Sequence, residues 1–320
     1  MSVDQASSTE RLRVDGVNVL GAISPSRASD FLTCPLMFRF RTVDRLPETS
    51  SIDAVRGTLV HKVLEDLFSL PADERTPERA QAMLEPTWES FVAEDPLLAD
   101  MFAAAVAGSS EAGFQEWLRS AGEVLARYFD LEDPRRLEPA ERELYVETLT
   151  DSKLLLRGFI DRLDVAPDGA IRVVDYKSGS SPHPDYEAKA LFQMRFYALL
   201  IWRTRGVVPK VLQLVYLGNG EMLRYEPDEA DLLATERKVE AIWDAVRRAD
   251  EERDWQPHVS RACDWCSFKP FCPAWGGTPP PVPERRVRHG GAPPRGPRWF
   301  GRLRRWWRRS RSGGPSRSAR

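Results

Sequence analysis

The sequence predicts an α/β protein, and a hairpin, two helices and a further strand carry this prediction. Two apolar runs, 154–166 and 171–177, are rich in strand-forming residues and are joined by Pro-Asp-Gly, which is typical of a β-hairpin. Residues 53–69 and 183–204 show the periodicity of amphipathic helices. Residues 210–217 follow as another strand-like run. Together these segments indicate a sheet combined with helices.

The predicted hairpin brings three charged side chains together. If Ala166 pairs with Ala170 across a three-residue loop, the same register places Asp161 opposite Asp175. The Cβ atoms of directly opposed residues lie about 5 Å apart. Lys177 is two residues beyond Asp175 and leaves the same face. Two carboxylates and an ammonium group would therefore converge, and a slip of one residue would separate them.

Such a cluster suits a hard divalent cation. Mg²⁺ takes oxygen ligands, commonly one or two carboxylates with water and substrate phosphate. Lys177 beside the cation would orient or deprotonate an attacking water and screen the charge that develops on phosphorus. The plain alternative is a surface hairpin that carries an Asp–Lys ion pair.

The beginning of the chain predicts a leader and then a helix. Residues 1–22 are polar, lack the apolar core of a signal peptide, and predict a disordered leader. A helix begins after residue 23, with Ser24 or Ser26 as its N-cap, and is interrupted near Cys34. The chain has no apolar run of transmembrane length, so we expect a cytoplasmic protein.

The helix at 53–69 carries a candidate metal ligand. His61 follows Gly57 by one turn, and the glycine leaves room for another group to approach the histidine. A histidine on a buried helix is commonly structural, and this reading stays open from the residues alone.

The middle of the chain predicts helices and one more strand. Three helical segments follow, at 77–93, 97–106 and 111–131. The alternating stretch 138–149 is typical of a strand. Glu143 or Glu147 of this strand could approach the hairpin or face solvent, and we expect them to face solvent. After the helix that carries Gln193 and Tyr197 on one face, a turn at residues 218–220 and a charged helix at 227–249 are predicted.

The chain has four cysteines, and three of them lie close together in the sequence. Cys263, Cys266 and Cys272 form one group, whereas Cys34 is far away. In a cytosolic chain this pattern argues for metal ligation more than for disulfides. Zinc usually takes cysteines as two local pairs, so a three-plus-one split favours an iron–sulfur cluster, with zinc as the alternative.

The C-terminal tail, residues 276–320, predicts disorder and has an unusual charge. Residues 284–320 hold 13 arginines against one acidic residue, although the whole chain has a net charge of −2. The rest is therefore acidic, so any surface that binds nucleic acid must be local. Arginine and tryptophan interleaved at 298–309 suit single-stranded DNA, an anionic membrane surface, or a solvated tail without function.

Several motifs occur together in one order. Gly-x2-Asp-Arg at 158–162 followed by Asp-Tyr-Lys-Ser-Gly at 175–179 resembles the RecB-type branch of the PD-(D/E)XK nuclease superfamily, which includes the RecB and AddB nuclease domains and CRISPR-associated nucleases. Further matching motifs are Ser-Pro-Ser at 24–26, Cys-Pro at 34–35, Gly-x3-His at 57–61, Gln-x3-Tyr at 193–197 and the cysteine triplet. The resemblance covers residues 23–275.

The resemblance implies a fold and a set of site residues. The fold is a PD-(D/E)XK restriction-endonuclease-like core, a mixed β-sheet flanked by helices, with a helical insertion at about 77–132 and an iron–sulfur segment at 255–275. Mg²⁺ or Mn²⁺ would be bound by His61, Asp161, Asp175 and the Tyr176 carbonyl. Lys177 would position the attacking water. Arg162, Gln193 and Tyr197 would hold DNA or support the metal ligands. The four cysteines would hold a structural [4Fe–4S] cluster.

The function that the resemblance implies is a metal-dependent DNA nuclease. We expect an exonuclease that acts on DNA ends or single strands in repair or recombination. The chain has no phosphate-binding loop of the form Gly-x4-Gly-Lys-Ser/Thr, so it has no motor of its own and would act alone or with a partner helicase. The alternative is a noncatalytic nucleic-acid-binding or assembly module that keeps the nuclease fold.

Overall fold

The structure is a computed structural model that describes most of the chain. The described residues are 13–14, 17–18, 20–48, 51–105, 111–181 and 187–283. The arginine-rich segment 284–320, the start of the predicted leader and His183 lie outside them. Within the described part, no helix combines the length and the apolar character that crossing a membrane requires.

Six strands form one mixed sheet, and two short strands pair separately. The strands are β1 Arg13–Val14, β2 Val17–Asn18, β3 Gly21–Ile23, β4 Glu141–Leu149, β5 Leu154–Val165, β6 Ile171–Lys177, β7 Val211–Tyr216 and β8 Glu221–Tyr225. The sheet order is β3-β5-β6-β7-β8, with β4 also paired to β5, and β1 pairs with β2. β3 runs parallel to β5 and β6 parallel to β7, whereas the other pairs in the sheet are antiparallel.

Helices cover both faces of the sheet. They are α1 Pro25–Thr33, α2 Pro35–Phe38, α3 Ile52–Leu67, α4 Pro77–Glu94, α5 Leu97–Ala105, α6 Glu111–Leu131, α7 Glu187–Arg205 and α8 Glu229–Glu251. A π-helical turn, Arg39–Asp44, follows α2. One apolar core packs α1, α7 and α8 against one face of the sheet. A second core packs the helices α3, α4, α5 and α6 against the other face. The sheet is therefore the middle layer of three.

The predicted elements agree with most of these bounds. The hairpin register is confirmed, because Ala166 donates to the Ala170 carbonyl and Gly169 has a φ of 85°. The predicted leader is wrong at its end, since Gly21 and Ala22 are buried in β3 against β5. Strand β8 was not predicted.

The two edges of β5 are used differently. One edge pairs with β4 over residues 155–163. The other edge pairs with β3 over Leu154–Leu156 and with β6 over Arg162–Val165. Among the described strands, none pairs with this second edge over residues 157–161. The sheet consequently has a gap beside these residues, between the ends of β3 and β6.

Candidate active site

The candidate site lies where β5 separates from β6. Their ladder stops at the pair Arg162 and Val174, one step before Asp161 and Asp175 would pair. A side-chain oxygen of Asp161 instead accepts a hydrogen bond of 2.8 Å from the backbone N–H of Tyr176. The carboxylate thus satisfies a strand donor that would otherwise lose its partner at the gap.

The strands β4 and β5 are both distorted at this point. Asp161 and Arg162 are consecutive, yet both side chains lie on the α3 side of the sheet: Asp161 approaches His61 and Arg162 packs over the Phe68 ring. Glu143, which the β4 register sets opposite Asp161, has a φ of 45°. A positive φ is uncommon for a residue other than glycine, and such strain concentrates at functional sites.

This distortion gathers a possible metal-binding set. One ligand atom each of His61, Glu143 and Asp161 lie within 4.8 Å of one another. The His61 Nδ1 atom lies 3.5 Å from an Asp161 oxygen. The expectation that Glu143 faces solvent is therefore wrong, because its carboxylate lies beside His61 and Asp161. Glu147, farther along the same strand, is exposed as expected.

Asp175 completes the acidic part of the site. Its side chain is 3% exposed. Burial and the neighbouring charge of Asp161 raise the pKa of Asp175 to about 6, although the Lys177 ammonium opposes this rise. Two carboxylates that repel each other at a buried position are stabilised by a shared cation.

Lys177 lies in the same cluster and keeps its proton. Its Nζ atom lies 2.6 Å from an Asp175 oxygen and donates to the Gln193 side chain at 3.1 Å. Burial lowers the pKa of Lys177, but the charges of Asp175 and Asp161 outweigh burial, so the pKa is raised. The group is thus an ammonium that donates hydrogen bonds, rather than a base.

Two residues of α7 hold these groups in place. The Gln193 amide donates to Asp175 at 3.2 Å and to the Tyr197 hydroxyl at 3.0 Å. Tyr197 is 7% exposed, so it supports Gln193 rather than presenting a surface to a substrate. A Cβ atom added at Gly158 would lie 2.9 Å from the Tyr197 ring, so this glycine lets α7 approach β5.

Helix α3 also approaches through a glycine. A Cβ atom at Gly57 would lie 2.7 Å from the Ser178 Oγ atom, just beyond β6. This contact sets the helix against the end of β6, one turn from His61. The space that the sequence predicted beside Gly57 is therefore filled by Ser178 of the same chain.

Arg162 has a different place from the one predicted. Its side chain is 1% exposed and is paired with Glu132 at 2.8 Å and Asp164 at 3.1 Å. The guanidinium also packs over the rings of Phe68 and Tyr176. Its assignment as a DNA-contacting residue is wrong, because this network fills the interior between the sheet and α6. Arg162 supports the site by fixing the strand beside Asp161.

The Tyr176 carbonyl faces the gap. The carbonyls of Ile171 and Lys177 accept bonds from the β7 side, at Lys210 and Leu217. Successive carbonyls along a strand point in opposite directions, so the Tyr176 carbonyl points towards β5. Its oxygen is therefore on the same side as the Asp161 carboxylate.

These donors fit a divalent cation. Three carboxylates, one imidazole and a backbone carbonyl border the gap, and oxygen-rich sets of this kind suit Mg²⁺ or Mn²⁺. The Lys177 ammonium adds a second positive group beside them. The arrangement can hold a phosphate ester between a cation and an ammonium, which is the setting for phosphodiester hydrolysis.

The four cysteines meet at a second place. Cys34, Cys263, Cys266 and Cys272 line one largely apolar cavity between α1, α2 and residues 257–275. In the described part of the chain, no three of their sulfurs lie within 4.8 Å of one another. Sulfurs around a tetrahedral zinc would lie about 3.8 Å apart, given a Zn–S length of about 2.3 Å. The spacing is thus wider than a preformed zinc site.

The chain matches a known family over most of its length. Residues 22–273 match the PD-(D/E)XK nuclease superfamily. The chain belongs to the PD-(D/E)XK nuclease superfamily.

Two individual proteins illustrate the relationship. The Gene 69 protein of Mycobacterium phage D29 is 33% identical over 139 residues, which is 42% of this chain and 48% of that protein. The chain thus matches about half of that relative's length. A crystal structure of a candidate exonuclease from Eubacterium rectale has a TM-score of 0.50 at 15% identity, over 77% of this chain and 87% of that one. At this identity the likeness concerns the fold.

Proposed function

We propose that this protein is a divalent-metal-dependent deoxyribonuclease that hydrolyses phosphodiester bonds. The observation that carries the proposal is the meeting of Asp161, Asp175 and Lys177 at the gap in the sheet, with His61 and Glu143 beside them. A module that only binds nucleic acid has no need of this set, which disfavours the noncatalytic alternative.

Each residue has a role in this proposal. Asp161, Asp175, His61 and Glu143, with the Tyr176 carbonyl, hold Mg²⁺ or Mn²⁺, which when bound supplies an activated water and neutralises phosphate charge. Lys177 donates hydrogen bonds to the water or to a phosphate oxygen. Gln193 keeps the Lys177 and Asp175 side chains in place.

The direct test is cleavage of labelled DNA by the purified chain with Mg²⁺ or Mn²⁺. We expect Lys177→Ala and Asp175→Asn to lose at least a hundredfold in rate, because the first removes an ammonium that stabilises the transition state and the second removes a charged ligand of the metal ion. Lys210→Ala is the matched control, since Lys210 is an exposed lysine paired with Glu226 on the surface. Cleavage by both site variants at the wild-type rate would rule out the assignment.

We propose further that the enzyme is an exonuclease of DNA repair or recombination, which acts on ends or single strands, alone or with a helicase. The motifs that resemble the RecB-type branch support this choice. End-labelled linear DNA compared with closed circular DNA tests it. Release of mononucleotides from the linear substrate with the circle left intact is expected, and nicking of the circle would contradict it.

The cysteine cavity supports a second proposal, a structural [4Fe–4S] cluster. Four thiols line one apolar cavity, and their wide spacing leaves room for a centre larger than one zinc ion. Protein made and handled without oxygen should contain about four irons per chain. Stoichiometric zinc without iron would replace this proposal by a zinc site.

A further inference from the structure

A row of side chains continues from the acidic site along β4 and β5. In the antiparallel register, Glu143 stands across from Asp161, Tyr145 pairs with Phe159, and the next pair on the same face is Glu147 with Arg157. Each step of two residues advances about 7 Å along the strands. The three pairs therefore form a line on the α3 side of the sheet, with the acidic site at one end.

The middle pair is a half-buried aromatic surface. The rings of Tyr145 and Phe159 lie with their centroids 4.8 Å apart and their planes at 46°. The Tyr145 hydroxyl donates to the Glu147 carboxylate. Both rings are partly accessible, unlike the aromatic residues that fill the two cores of the described structure.

The far end of the line is positively charged. Arg157 is 7% exposed, and its Nη2 atom is buried without a hydrogen-bond partner. Arg27, at the start of α1, is close by: burial and then the charges of Arg157 and Arg45 lower the pKa of Arg27 to about 10. The charge of Arg27 thus interacts unfavourably with those of Arg157 and Arg45.

Two carboxylates near this group offset only part of its positive charge. Asp30 lies near Arg27 but is paired with Arg41 at 2.6 Å. Glu147 stands across from Arg157 and accepts from the Tyr145 hydroxyl, and its charge remains beside Arg157. Like charges held together with unsatisfied N–H groups are costly, and an anion that binds between them removes the cost.

We propose that this row, Tyr145 and Phe159 followed by Arg27, Arg45 and Arg157, is a binding track for single-stranded DNA that leads to the acidic site. The aromatic pair stacks on a base and the arginines hold a phosphate of the same strand. Stacking requires an open base face, which a duplex offers only at its end. The inference rests on the proposed nuclease function and names its substrate class.

Binding measurements test the track separately from cleavage. The Lys177→Ala chain is used throughout, so that the labelled oligonucleotide is not consumed, and affinity is measured by fluorescence anisotropy. Adding Tyr145→Leu or Phe159→Leu should weaken single-strand binding about tenfold, a typical effect of losing one stacked base, and leave blunt-duplex binding unchanged. Phe129→Leu, a half-buried aromatic on α6, is the matched control and should stay within twofold.

The arginines are tested by the salt dependence of DNA binding. Arg27→Gln should reduce the slope of log affinity against log salt by about one, as expected for one lost phosphate contact. Arg237→Gln, an exposed arginine on α8, should leave the slope unchanged.

An oligonucleotide with one abasic site, moved stepwise along the strand, checks stacking without relying on the fold of a variant. The chain with the native aromatic pair should bind the oligonucleotide about tenfold more weakly when the abasic site is at one particular position. With Tyr145→Leu, an abasic site at that position should cause no further loss of affinity. Unchanged single-strand affinity in all three track variants would overturn the track while leaving cleavage intact. If the wild-type chain shows no metal-dependent cleavage but keeps this pattern of binding, the nuclease proposal is wrong and the track stands.

Discussion

Gly158 has no side chain, and the Tyr197 ring occupies the space that a side chain would need. Tyr197 in turn accepts from Gln193, which contacts both Asp175 and Lys177. The glycine of the Gly-x2-Asp-Arg motif is thus connected to Asp175 and Lys177 through packing and three hydrogen bonds.

Gly158→Ala should therefore destabilise the protein and lower its activity. The added Cβ atom would lie 2.9 Å from Tyr197 and 3.2 Å from Leu200, and overpacking of this kind costs about 1–3 kcal/mol. Thermal unfolding and cleavage rate measure the two effects. Gly179→Ala is the control, because a Cβ atom there meets nothing within 4 Å. Equal melting temperatures for both variants would contradict the packing argument.

Arg162 and Glu132 form a buried ion pair. Burial raises the pKa of Glu132, but hydrogen bonds and charge from Arg162 outweigh burial, so the pKa is lowered. A carboxyl with a depressed folded pKa contributes stability above its unfolded pKa, and the contribution is lost as pH falls through the folded value.

Arg162→Met should consequently cost about 3–5 kcal/mol at neutral pH, because it leaves Glu132 buried without its partner. The difference in unfolding free energy between wild type and variant should shrink as pH falls into the acid range, because Glu132 without Arg162 takes up a proton at higher pH in the variant than in the wild type, where its pKa is lowered. Denaturant unfolding across pH measures this. A variant of wild-type stability that binds DNA weakly would instead restore Arg162 as a DNA contact.

At the scale of elements, the paired distortion of β4 and β5 explains how the site forms. The register between the two strands is continuous on both sides of Glu143 and Asp161. Both strands place two consecutive side chains on the α3 side, so the carboxylates reach His61 while the flanking apolar residues stay in the core.

Glu143→Gln should thus weaken binding of Mn²⁺ by about tenfold or more while the fold is kept, because it removes one charged ligand from the set. Isothermal titration of the metal measures the change. Glu147→Gln, on the same strand and exposed, should bind the metal as the wild type does. If both variants bind alike, Glu143 lies outside the metal site.

The sequence allowed the hairpin and its register to be predicted, because a short loop with a glycine determines which residues pair. Glu143 was not predicted in this way, since its place opposite Asp161 depends on the register of β4 against β5, which no short loop motif indicated. β3 was missed because three residues are too few for a periodic signal and their partner is distant in the chain. The position of Arg162 was missed because its partners come from α6 and the loop end of β5.

For the whole molecule, the cysteine cavity joins the two ends of the described domain. The Leu36 backbone N–H also donates to the Gln256 carbonyl, and Arg39 donates to the Pro280 carbonyl. The stacked rings of Phe38 and Trp255 add a third contact between the same segments.

Cys34→Ala should destabilise the anaerobic protein strongly if a metal centre fills the cavity. A crosslink that closes a loop of this length stabilises by about 5 kcal/mol in the chain-entropy estimate, which gives the order of magnitude. Thermal unfolding and iron content are measured together. Leu32→Ala, an exposed residue of α1, is the control. Wild-type stability of Cys34→Ala, with full iron content, would contradict a stabilising crosslink through Cys34.

The parallel pairing of β3 with β5 also has a consequence for how the chain is made. Gly21–Ile23 leaves the ribosome about 130 residues before Leu154–Leu156, its partner in the sheet. At about 5–20 residues per second, the first strand waits roughly 7 to 26 seconds for that partner. During this interval its apolar edge is open to chaperones or to other nascent chains. Residues 20–48 should therefore stay sensitive to proteases until at least residue 156 has emerged.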